Sequence, residues 1–110
     1  MISYGIYFDS GKDVVKPQSY GALKDIANVL KENPGVRVKI VGHTDSDGDE
    51  AMNLELSKRR SQSVKNELNK TFGIDKAILD TDGEGESQPL VLNTSAEGKA
   101  KNRRVEFIKL

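Results

Sequence analysis

Arg60 occupies a position where an apolar residue is expected. Leu56, Val64 and Leu68 fall on one i, i+4 stripe, and Arg60 fills the gap in it. A charge among core-facing positions is costly unless it is partnered. Two arrangements would satisfy it. Either the head snorkels to the helix edge, or it points into a cleft and meets a carboxylate, that of a ligand included. Asp45 lies just past the carboxyl end of one strand-like run, and Asp9 lies at the corresponding end of an earlier one. Ligands of small α/β sheets favour the crevice outside the strand ends, and parallel strands would bring both carboxylates to the same rim. The competing account of both aspartates is the capping of turns and helices.

Other constellations fail on spacing. A calcium loop opened at Asp45 has Asp47 and Asp49 in place, but Glu50 stands where glycine is needed and Leu56 where glutamate is needed. Opened at Asp80, the loop gains Gly85 and fails at Val91. Both read as solvated acidic turns, and the chain calls for no metal and no cofactor. His43 is the single histidine. Ser46 and Ser57 are near it in sequence, but neither sits in a nucleophile-elbow pattern. His43 therefore reads as a hydrogen-bonded residue at a strand end, and no catalytic residue is assigned. Gly83-x-Gly85 lacks the strand–glycine–helix setting of a dinucleotide site. Arg103-Arg104, opposed by Glu106, is too small a basic patch for nucleic acid.

These residues must be positioned by a few short elements. Ile2, Tyr4, Ile6 and Phe8 alternate as in a strand over residues 2–9, until Asp9-Ser10-Gly11 breaks it. Pro17 opens a helix carrying Tyr20, Leu23, Ile26, Ala27 and Leu30 at helical spacing, and Asn33-Pro34-Gly35 stops it. Val36, Val38 and Ile40 alternate in a second strand ending at Gly42-His43-Thr44-Asp45. A second helix covers residues 51–71, closed by Gly73. Residues 74–101 read as short turns anchored by Ile78 and Leu79 and by Leu90, Val91 and Leu92. Residues 102–108 alternate again as a terminal strand, with Arg103 on the face of Val105 and Phe107, placed to pair with a carboxylate inside the fold, and Arg104 facing outward. The expectation is an α/β (α+β two-layer) fold in β-α-β-α-loop-β order: a small mixed sheet with helices on one face, its first strand–helix–strand unit a right-handed parallel crossover.

With 17 Lys+Arg against 17 Asp+Glu, the formal net charge is zero. That excludes a domain held to nucleic acid or anionic lipid by bulk charge. A hydrophobic content of 35% in 110 residues suffices for one modest core, a single domain over 1–110. Without cysteine there is no disulfide framework, thiolate zinc site or cysteine nucleophile. The apolar runs are too short for membrane insertion. No signal peptide is visible, and Met1 running straight into Ile2-Ser3-Tyr4 fits a start codon added to an excised domain.

The segment Thr44-Asp45-x-x-Gly48-x-x-x-x-Asn53-x-x-Leu56-Ser57-x-x-Arg60-Ser61-x-x-Val64-x-x-x-Leu68 resembles the signature of OmpA-like C-terminal peptidoglycan-binding domains, which also occur in peptidoglycan-associated lipoproteins and flagellar stator proteins. Ile6-Tyr7-Phe8-Asp9-Ser10 resembles the opening strand and turn of that family. Gly83-x-Gly85-x-x-x-Pro89, with Asn93-x-Ser95-x-x-Gly98-x-x-x-Asn102-Arg103-Arg104-Val105, resembles its closing segment. Ser61 stands where alanine is common.

The resemblance implies non-covalent binding of the peptidoglycan stem peptide through meso-diaminopimelate, with Asp45 taking the ammonium and Arg60 the carboxylate. It places Phe8, Asp9 and Ser10 on the other lip of the pocket. Thr44 orients Asp45, Leu56 and Ser57 form a wall, and Asn53 ties the acidic turn to the second helix or touches the ligand. Asn102 and Arg103 belong to the motif in a structural role. The implied setting is the periplasmic face of a Gram-negative-type envelope, associated with the outer membrane through the rest of a longer protein. The oligomeric state is open, a dimer of that longer protein included. Two rival classes stand beside this reading: a wall hydrolase, for which Asp9 and Asp45 would have to form a catalytic pair, and a stator or protein-interaction domain in which dimer contacts dominate.

Overall fold

A computed structural model describes residues 2–88 and 92–110, with residues 2–5 described by their backbone alone. The elements run β1 (Ile2–Tyr7), α1 (Tyr20–Glu32), β2 (Val38–Gly42), α2 (Glu50–Lys70), β3 (Leu79–Gly83), α3 (Ala96–Asn102) and β4 (Arg104–Lys109), with 3-10 turns at Pro17–Ser19 and Lys76–Ile78. The sheet order is β1-β4-β2-β3. β4 lies antiparallel to β1 and to β2, and β3 pairs parallel to β2 in the register Val38 with Leu79 through Gly42 with Gly83.

Local chemistry explains the helix limits. Pro17 opens the 3-10 turn that leads into α1, whose buried stripe is Leu23, Ile26, Ala27 and Leu30. Gly35, at φ 94°, turns the chain toward β2. Asp49 caps α2, its carboxylate accepting from the Met52 N–H at 3.1 Å. Both helices pack on one face of the sheet, where Ile6, Leu23, Ile26, Ile40, Val64, Leu68, Leu79, Val105 and Phe107 form a continuous core.

The expectations for residues 74–101 and for Arg104 are corrected. The 74–101 segment is not a run of turns, since it contains β3 and α3. β3 reads Leu-Asp-Thr-Asp-Gly and α3 reads Ala-Glu-Gly-Lys-Ala-Lys-Asn, so neither carries an apolar stripe. Parallel pairing to β2 holds the first, and a Ser95 cap accepting from Gly98 N–H at 3.0 Å starts the second. Leu92 is exposed rather than an anchor, while Pro89, Leu90 and Val91 lie outside the described residues. As expected, β1 and β2 run parallel, with β4 between them. Finally, Arg104 faces inward at 3% exposure. It alternates with the core residues Val105 and Phe107, and with Glu106 also at 3% exposure the second face of β4 is covered as well. There the Arg104 guanidinium donates to Glu106 Oε1 at 2.9 Å and to the Gln88 carbonyl at 2.9 Å.

Candidate functional site

The carboxyl ends of β1 and β2 and the start of β4 meet at one end of the sheet, and α2 carries Arg60 into that junction. Arg60 does not snorkel: it is completely buried. Nε donates to the Lys12 carbonyl at 2.8 Å, Nη1 to the His43 carbonyl at 2.9 Å and Nη2 to the Asp9 carbonyl at 3.0 Å. The guanidinium carbon lies 5.0 Å from the centroid of the Phe8 ring, within cation–π range. These bonds do not exhaust the donors of the fork. Among the described residues no carboxylate forms an ion pair with it. Burial pulls the Arg60 pKa down to about 10, an effect that the charge of Asp45 opposes and that of Arg103 reinforces.

Asp45 is less rim-like than its sequence position suggests, at 5% exposure. Its Oδ1 accepts from the Asp47 N–H at 3.1 Å, and its Oδ2 accepts from Arg103 Nη1 at 2.8 Å. Arg103 thus finds the internal carboxylate its position called for, although it sits ahead of β4 and not within it. Thr44 is buried, and its hydroxyl donates to the Asp45 carbonyl at 2.8 Å. Asn53 donates from Nδ2 to the Asp47 carbonyl at 2.9 Å and to Glu86 Oε1 at 3.3 Å, which binds the acidic turn to the start of α2.

The opposite lip contributes main-chain atoms more than side chains. The exposed Asp9 carboxylate pairs with Lys16 at 3.0 Å, while its carbonyl serves Arg60. Asp9 and Asp45 do share an end of the sheet, but only Asp45 brings its carboxylate into the cluster. Phe8 is buried and Ser10 is exposed. Leu56 is buried. Ser57 faces the sheet: its hydroxyl donates to the Leu54 carbonyl at 2.7 Å and accepts from the Gly85 N–H at 2.9 Å. Sequence reasoning missed the carbonyls of Lys12 and His43 and the Lys99–Asp47 ion pair at 3.0 Å. No side-chain signature announces a carbonyl acceptor, and a lysine on an unrecognised helix carries no visible partner.

His43 also departs from expectation. It is 2% exposed, with Nε2 at 3.3 Å from Glu106 Oε2 and neither ring nitrogen hydrogen-bonded among the described residues. Burial lowers its pKa to about 4, with Arg104 adding to the shift and Glu106 opposing it. Its ring lies on the sheet face opposite the helices, while its carbonyl serves Arg60. An apolar groove bordered by Ile26, Val29, Leu30, Val36, Val38 and Phe107 lies at the far end of the strands, away from this cluster.

Residues 7–103 match the model of the OmpA family. The chain is 39% identical over 105 residues to outer membrane porin F of Pseudomonas aeruginosa, covering 96% of this chain and 30% of the porin. It is 41% identical over 101 residues to outer membrane protein A of Bordetella avium, covering 92% of this chain and 52% of that protein. The chain therefore spans about half or less of the length of these relatives. The crystal structure of the peptidoglycan-associated lipoprotein from Burkholderia pseudomallei superposes with a TM-score of 0.89 at 28% identity, covering 96% of this chain and 88% of that one.

Proposed function

The chain belongs to the OmpA family, and from that premise we propose that it anchors an envelope protein to the cell wall by holding the meso-diaminopimelate of a peptidoglycan stem peptide without breaking a bond. The free end of diaminopimelate bears an ammonium and a carboxylate. Asp45 takes the ammonium and Arg60 takes the carboxylate, with Phe8, Asp9 and Ser10 as one lip and Thr44, Asn53, Leu56 and Ser57 backing the other. The domain works at the periplasmic face of the envelope, as the names of its outer-membrane relatives suggest.

One observation carries the assignment. Arg60 is a fully buried cation whose acceptors are three neutral carbonyls, and the nearby Asp45 is already paired with Arg103. A buried charge without a counter-charge is unfavourable. A ligand carboxylate supplies the missing anion, and the planar fork suits it. The experiment compares stem peptides that differ only in diaminopimelate or lysine. Lysine keeps the distal ammonium and lacks the distal carboxylate, so its peptide should bind at least about tenfold more weakly. Equal affinities by calorimetric titration would show that Arg60 does not hold the ligand carboxylate. Sacculi incubated with the protein should pellet with it and release no soluble muropeptides. Time-dependent release would instead favour a hydrolase.

A further inference from the structure

Arg103 bridges the two lips of the cluster. Its Nη1 donates to Asp45 Oδ2 at 2.8 Å, its Nε donates to the Phe8 carbonyl at 3.0 Å, and its own carbonyl accepts from the Phe8 N–H at 3.2 Å. The side chains of this pair are 18% and 6% exposed, so solvent screens the contact little. We propose that Arg103 is a positioning residue for ligand capture, fixing the Asp45 carboxylate against the Phe8 lip so that its remaining lone pairs face an incoming ammonium group. The proposal rests on the diaminopimelate reading above.

The geometry leaves room for both cations on one carboxylate. Asp45 accepts one bond at Oδ1 from Asp47 N–H and one at Oδ2 from Arg103, and each oxygen has a second lone pair. Holding the carboxylate at two points fixes its plane, and a preorganised acceptor loses less freedom when it binds. The fork matters because one planar group must reach a carboxylate and a carbonyl at once; a lysine head can supply the charge but not both directions. α3 holds the device in place: the Arg103 N–H donates to the Lys99 carbonyl at 3.2 Å, and the Lys99 side chain pairs with Asp47 in the same acidic turn.

Arg103→Gln, Arg103→Lys, Asp45→Asn and the Arg103→Gln/Asp45→Asn double variant should be titrated with the diaminopimelate and lysine stem peptides, with melting temperatures measured alongside. Both peptides carry the ammonium, so Arg103→Gln should weaken both by the same factor, about tenfold, and preserve the preference between them. Arg103→Lys should recover part of the loss. In the Asp45→Asn background, Arg103→Gln should change affinity by less than about twofold, because its effect runs through Asp45. A merely structural arginine predicts otherwise: the peptide preference collapses and the loss is as large without Asp45 as with it. That result, or unchanged affinity in Arg103→Gln, overturns the proposal. If Arg103→Gln does not fold, the lysine variant decides, and parent-like affinity in Arg103→Lys would rule out the fork. Parent protein that binds neither peptide would overturn the ligand reading itself, and this inference with it.

Discussion

Replacing Arg60 by lysine separates the observed task of its guanidinium, holding three carbonyls, from the proposed one, holding a ligand carboxylate. Lysine keeps the charge but cannot serve the carbonyls of Asp9, Lys12 and His43 together. The variant should lose about 1–3 kcal/mol of stability and at least about tenfold in sacculus binding, read by thermal melting and pelleting. Binding retained alongside lost stability would make Arg60 a structural clamp alone. That Arg60 is exceptional was legible from one missing apolar residue on a helix stripe. That it hangs on three carbonyls was not, because main-chain atoms leave no trace in residue identity. His43 gives a second test at this scale. The unfolded imidazole titrates near its ordinary 6.5, whereas the folded one resists protonation until about 4. Its contribution to stability is therefore complete above pH 6.5 and is lost as pH falls toward 4. Between about pH 7 and pH 4 the parent should lose about 1–2 kcal/mol more stability than His43→Gln. Parallel pH profiles of the two proteins would show that the buried ring does not titrate as assigned.

The joint between α2 and the sheet is closer than helix–sheet packing usually allows. A Cβ on Gly42 would collide with the Ser57 carbonyl, and one on Gly83 would meet the Ser57 hydroxyl and the Lys58 backbone. Because Arg60 lies one turn further along α2, displacing the helix at Ser57 displaces the site. Gly42→Ala should cost about 2–3 kcal/mol and weaken wall binding although Gly42 offers no side chain to a ligand. Full binding with an unchanged melting temperature would mean the joint yields easily. The elements themselves were unevenly legible. β1, α1, β2 and α2 could be read because each carries an apolar period. β3 and α3 could not, since Asp80, Asp82, Lys99 and Lys101 mask elements that hold by pairing and capping. The burial of Arg104 depends on cover over the second face of β4, where it meets Glu106 and the Gln88 carbonyl, and no local pattern reveals that cover.

At the scale of the whole molecule, 17 positive and 17 negative charges cancel, and many of the surface ones are paired, as in Lys16–Asp9, Arg59–Asp13 and Lys99–Asp47. Long-range steering toward the wall should be weak. Affinity for sacculi should change by less than about threefold between roughly 0.05 and 0.5 M salt if the proposed contacts to the buried Arg60 and Asp45 carry it. A steep fall with salt would place the binding energy on the exposed rim. The direction of the strands adds a mechanical consequence. Ile2 pairs with Phe107 and Val38 with Lys109, so the outer ends of β1 and β4 emerge together, opposite the end that holds Phe8, Asp45 and Arg103. A chain continued from either end would leave the molecule on the side away from the candidate site. Tension between such a tether and a wall-held lip would run along the strands, loading the β1–β4 ladder in shear. Its hydrogen bonds would then share the pull at once rather than opening one after another.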